Sequence, residues 1–123
     1  DVTKLSKRFS LNSFETSVCL WNTIGNIEED IKAIEEMYKV TWKRCFITTL
    51  KKGNLKERIN YYESQGLKYK LDEKNEIIRS EAWGIARSYT KEELANIFRL
   101  VGFEVMEIVD LGKIGFGIEL IKN

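Results

Sequence analysis

Phe103-Glu104-Val105-Met106-Glu107-Ile108-Val109, then Asp110-Leu111-Gly112-Lys113-Ile114-Gly115, then Phe116-Gly117-Ile118-Glu119-Leu120-Ile121, is the stretch that decides the fold. Two runs of strand character flank a glycine-bearing connector too short for a parallel crossover, so they form an antiparallel pair. Immediately upstream, Thr90 and Glu93 have the spacing of a capping box. Leu94, Ala95, Phe98 and Val101 supply an apolar stripe, and Gly102 stands where a helix ends. Working back, Asn54 and Glu57 repeat the capping spacing before Leu55, Ile59 and Tyr62, with Gly66 as the terminator. Between these two helices the pattern alternates around Asp72-Glu73-Lys74-Asn75. That predicts a small hairpin of 68–71 or 77–80 with 82–89.

The first half is parallel in character. Thr16-Ser17-Val18-Cys19-Leu20-Trp21 is a nearly unbroken run that suits a strand covered on both faces. Asn26 and Glu29 have capping spacing ahead of Ile27, Ile31, Ile34, Met37 and Tyr38, which recur at helical intervals and predict a helix over 27–40. Arg44-Cys45-Phe46-Ile47-Thr48-Thr49-Leu50 is the second strand, completing a right-handed βαβ unit. The opening 1–14 reads as a loop with one helical turn. The element order is therefore α/β, with parallel units that finish in an antiparallel hairpin.

Composition narrows the function. The chain has 123 residues, 43% hydrophobic and 32% charged, enough for one core and no second domain. Average usage would place about six prolines in this length, and there are none, so linker-like and low-complexity readings fail. Twenty basic against 19 acidic residues leave a charge of +1, which gives no net field for a polyphosphate backbone; no nucleic-acid partner is expected. Lysine and arginine clusters at 39–44 and 51–58 read as solvated faces. No apolar run approaches the roughly 20 residues a membrane span needs, and Asp1-Val2-Thr3-Lys4 lacks a signal-peptide core, so a cytoplasmic chain is expected. Cys19 and Cys45 sit in apolar runs and read as reduced, buried thiols. With no histidine, imidazole-based nucleophile systems and the usual zinc sites are excluded.

A sheet that ends in this way resembles the Rossmann-like sheet of class I S-adenosylmethionine-dependent methyltransferases, with helices on both faces. Asn12-Ser13-Phe14-Glu15-Thr16-Ser17-Val18-Cys19-Leu20-Trp21-Asn22 resembles that family's fourth-strand "NSFD" run, in the small-molecule form with a C-L-x-N segment that glycine N-methyltransferase typifies. Thr90-Lys91-Glu92-Glu93-Leu94 through Gly102-Phe103-Glu104-Val105 is similar to the family's "T-x-E-E-L … A-G-F-E-V" stretch. The resemblance covers essentially the whole chain and makes residues 1–123 the C-terminal part of a catalytic domain, a single partial domain. The family's glycine-rich turn after its first strand has no counterpart. Gly112, Gly115 and Gly117 lie between two strands, not between a strand and a helix. Nor is there a counterpart of the acidic residue that binds the ribose. A start at Asp1 rather than Met also fits a fragment.

The resemblance implies S-adenosylmethionine as cofactor. It places Asp1 on the adenine amino group, the Val2 amide on the ring and the Leu20 backbone on the ammonium, with Trp21, Asn22 and Asn26 near the methyl group; Asn26 is equally a helix cap. Methyl transfer from a sulfonium is governed by positioning, so no dedicated nucleophile is expected. A small-molecule methyl acceptor is favoured, because the Trp21-Asn22-Thr23 loop has neither the proline-bearing loop of base-amine enzymes nor a Pro-Cys nucleophile. Tyr61, Tyr62, Trp83, Arg79 and Arg87 would roof the acceptor, an arginine pairing with a carboxylate. The 18–21 ribbon, Val18-Cys19-Leu20-Trp21, would be an interior strand lacking one neighbour. The expected partner is an N-terminal half of the domain or a second copy paired through that edge. The competing expectation is a non-enzymatic dimerisation or partner-binding half-domain.

Overall fold

A computed structural model describes residues 1–123. After a short turn of 3-10 helix at Val2–Lys4 come α1 (Leu5–Arg8), β1 (Phe14–Cys19), a second 3-10 turn (Ile24–Asn26), α2 (Asp30–Val40) and β2 (Thr41–Leu50). Then follow α3 (Leu55–Ser64), β3 (Tyr69–Asp72), β4 (Ile77–Ser80), β5 (Gly84–Ala86), α4 (Lys91–Val101), β6 (Glu104–Leu111) and β7 (Gly115–Ile121).

The main sheet has the order β1-β2-β7-β6. β1 and β2 are parallel, Val18 beside Phe46 and Cys19 beside Ile47. β7 then runs antiparallel to β6, as the short connector demands, and is inserted between β6 and β2, antiparallel to β2 as well. The expected hairpin is a three-stranded meander, β3-β4-β5, in which Ile77–Ser80 pairs with both neighbours.

α4 starts as its spacing predicts: Thr90 Oγ1 accepts from the Glu93 amide, Glu93 reaches back to the Thr90 amide, and Gly102 ends the helix at φ 121°. That positive φ suits a residue without Cβ, and a Cβ there would lie 3.0 Å from the Tyr38 ring. α2 starts later than expected, at Asp30, with no side-chain cap. Asn26 is not its cap, because its Nδ2 donates to the Ile85 carbonyl at 3.0 Å.

Two expectations are corrected. The first strand stops at Cys19 and does not run to Trp21, because Trp21 and Asn22 take φ of 59° and 57° and turn the chain out of the sheet. And the main sheet is not covered by helices on both faces. α2 and α4 pack on one side, where Ile34, Met37, Leu94 and Phe98 meet Cys19, Cys45, Ile47, Ile118 and Leu120 in one buried cluster. The strand period turns alternate residues of β2 to opposite sides. Thr41, Cys45, Ile47 and Thr49 are buried while Trp42 and Phe46 are exposed. β1 is likewise open along the edge away from β2, with Val18 56% exposed. Both cysteines are unpaired thiols, and burial pushes Cys45 up to about 11. No helix is long and apolar enough to cross a membrane.

Candidate functional site

Carboxyl ends of parallel strands leave a crevice where the chain departs to opposite sides. Here a cavity of about 580 Å³ opens at the carboxyl ends of β1 and β2. Its floor is Thr48, Thr49, Leu50 and Lys51, and one wall is the turn bearing Trp21, Asn22 and Asn26. α3 contributes Asn54, Glu57, Arg58, Tyr61 and Tyr62; Trp83 and Ala86 come from the meander and Leu111, Ile114 and Gly115 from the tail hairpin. Gly115 is needed for β7 to lie this close, since a Cβ would sit 3.1 Å from the Thr49 carbonyl oxygen.

The turn after β1 is held by Asn22. Its Oδ1 accepts from the Leu50 amide at 2.9 Å and its Nδ2 donates to the Arg87 carbonyl at 3.1 Å, so one carboxamide joins the β1 turn, β2 and the segment after β5. Gly25 has to lack a side chain, as a Cβ would fall 2.5 Å from Asn22 Oδ1. The Trp21 amide donates to Thr48 Oγ1 at 2.8 Å, while its indole is 90% exposed.

Opposite stands an aromatic wall. Tyr61 and Trp83 stack with ring centroids 5.7 Å apart and planes at 28°, and Tyr62 meets Trp83 edge-on at 5.0 Å. Tyr62 is buried, which raises its phenol above the ordinary range, whereas Tyr61 and Trp83 stay half exposed. The two cations at the cavity are engaged by the protein itself. Lys51 Nζ pairs with Asp110 at 2.8 Å and thereby holds the Asp110 carboxyl below its usual range. Arg58 donates to the carbonyls of Glu76 and Ala86 and to Ser88 Oγ. Its burial lowers the guanidinium from its ordinary value.

Of the residues singled out from sequence, Trp21, Asn22, Asn26, Tyr61, Tyr62 and Trp83 come together at this cavity. Leu20 lies beside it, its carbonyl accepting from the Thr23 amide and hydroxyl. Asp1 and Val2 are not part of the cavity wall; Asp1 Oδ1 accepts from the amide and hydroxyl of Thr3, and Val2 packs against the core. Arg79 and Arg87 do not turn into the cavity. Arg79 forks onto Glu28, and Arg87 donates to the carbonyls of Ile27 and Glu28. Glu57 also lines the cavity, although its spacing from Asn54 reads as that of a capping partner.

No family model matches the chain, and no curated protein matches it. Solved structures do. It is similar to a protein of Pyrococcus horikoshii (15% identity, TM-score 0.75, all of this chain and 57% of that one). It is also similar to 1,6-didemethyltoxoflavin-N1-methyltransferase of Burkholderia thailandensis, solved with bound 1,6-didemethyltoxoflavin and S-adenosylhomocysteine (11%, TM-score 0.69, 97% of this chain and 48% of that one). A third is magnesium protoporphyrin IX methyltransferase of Synechocystis with bound S-adenosylhomocysteine (12%, TM-score 0.62, 100% and 49%). The chain has the fold of the C-terminal part of a class I methyltransferase domain, reversed tail strand included. It spans about half the length of these neighbours.

Proposed function

We propose that this chain is the C-terminal portion of the catalytic domain of an S-adenosylmethionine-dependent methyltransferase acting on a small-molecule acceptor. The observation that carries this reading is the cavity with an aromatic wall at the carboxyl ends of β1 and β2, beside an open β1 edge. Within the proposal, Trp21 walls the methyl-bearing end of the cofactor. Asn22 and Asn26, whose carboxamides are occupied by Leu50, Arg87 and Ile85, act by holding the turn in place. Asp1, Val2 and the Leu20 backbone keep the adenine and ammonium contacts the resemblance gives them, and Trp83 faces the acceptor.

The residues present fit one end of this cofactor. The glycine turn and ribose carboxylate belong to the other half of the domain. When bound, S-adenosylmethionine supplies an electrophilic methyl group on a sulfonium. This chain's residues align the acceptor and exclude water from it, which is where most of the acceleration of such a displacement comes from.

The partner half pairs along the open edge of β1, as an N-terminal half of the domain or as a second copy of this chain through residues 18–21. The same edge and the bare sheet face favour a second reading, a non-catalytic partner-binding module. Calorimetric titration with S-adenosylhomocysteine separates the two, run on this chain alone and mixed with a polypeptide carrying the glycine-turn half. Heat in the mixture alone is the result expected of the enzyme; none in either sample leaves the module.

A further inference from the structure

Asn54 and Glu57 have the spacing of a capping box, yet the box does not form. Asn54 Nδ2 donates instead to the Lys113 carbonyl at 2.7 Å, drawn away from the helix by the connector of the tail hairpin. Glu57 is thereby released from the role its spacing suggests. It lines the cavity with no ion pair and no hydrogen bond, while Lys51 is paired with Asp110 and the Arg58 guanidinium is turned onto the carbonyls of Glu76 and Ala86 and onto Ser88 Oγ. The carboxylate left free to meet a ligand is thus that of Glu57. The unspent surface is the stacked pair Tyr61 and Trp83, whose π-faces attract cations and flat rings.

The geometry points to a flat aromatic acceptor bearing a basic nitrogen, its ring against Trp83 and Tyr61 and its positive nitrogen toward Glu57. A carboxylate-bearing acceptor is disfavoured for the same reason, since the Glu57 carboxylate repels it and the Arg58 guanidinium is held by protein oxygens. That this ligand is a methyl acceptor rests on the methyltransferase reading; the ring-and-cation site stands on the cavity itself.

Three probes with one ring system test it: naphthylmethylamine, naphthalenemethanol and naphthoate, titrated into the full chain while the indole N–H signals are followed by NMR. The amine binds several-fold tighter than the alcohol and the acid weakest, with the Trp83 signal moving. Glu57→Gln, an exposed change that spares the fold, brings the amine down to the affinity of the alcohol and leaves the alcohol unchanged. Tyr61→Ala weakens the amine and the alcohol together, by about tenfold. Naphthoate binding as tightly as the amine, a preference for the amine that survives Glu57→Gln, an unmoved Trp83 signal, or no binding of any probe would each overturn the proposal. If the probes rank as expected but S-adenosylhomocysteine never binds, the methyltransferase reading fails and this site stands. Cofactor binding with the opposite probe ranking does the reverse.

Discussion

The two faces of the main sheet use the same strands and meet different surroundings. On one, Cys45, Ile47, Ile118 and Leu120 are buried under α2 and α4; on the other, Val18, Phe46, Val109 and Leu111 remain exposed. Apolar side chains occur on both, so hydrophobicity of a strand does not by itself say how many of its faces are covered. Cover depends on which helices the chain can bring back. Here α2 and α4, reached from neighbouring strands, land on the same side. The open face is an apolar surface of the kind that marks contact with other protein.

The largest effect that separates the faces is expected at Phe98. Phe98→Ala should cost about 3–5 kcal/mol in urea unfolding, whereas Phe46→Ala on the open face should stay near 0.5 kcal/mol. A large cost at Phe46 would mean that its face is covered in solution.

Next is Glu36, which fastens α1 to the covered side. Its carboxylate, 5% exposed, accepts from the Ser6 amide and from Lys39 at 2.7 Å each, and these bonds lower it to about 2. Glu36→Gln should cost about 2 kcal/mol, the worth of hydrogen bonds to a charged group. Because the folded value lies below the unfolded one, its contribution is complete above the ordinary carboxylate range, near 4.3. It is lost as pH falls toward about 2. Urea midpoints that decline over that window in the parent and not in the glutamine variant would check the sign.

Thr90→Ala should cost about 1 kcal/mol through loss of a working cap. The smallest change is expected at Thr49, on the covered face of β2 beside Phe116. Thr49→Val removes an unpaired buried hydroxyl and should fall within about 0.5 kcal/mol of neutral, or stabilise. A clear loss there would show that the hydroxyl is already bonded in solution.

Helix starts show where the sequence is legible and where it is not. Thr90 and Glu93, Asn54 and Glu57, and Asn26 and Glu29 share one spacing, and only the first pair closes a box. Asn54 and Asn26 are drawn to the carbonyls of Lys113 and Ile85, each 59 residues along the chain. A short polar side chain takes whichever backbone partner the fold presents, and no local pattern reveals a partner that distant. At the site the same holds. Trp21, Asn22, Asn26, Tyr61, Tyr62 and Trp83 were legible as cavity residues because they stand at the ends of recognisable elements or in the segment roofing them. Arg79 and Arg87 were misplaced because Glu28 and the Ile27 and Glu28 carbonyls, brought close only by folding, claim their guanidinium groups.

From its residues alone this protein has its element order, its reversed tail hairpin and the position of its crevice, since periodicity, glycine placement and connector length are properties of neighbours in sequence. Folding in three dimensions chose which face of the sheet is covered and which polar groups are left over at the cavity. Each donor and acceptor can be used only a limited number of times, and the group that reaches it first is set by distance in space.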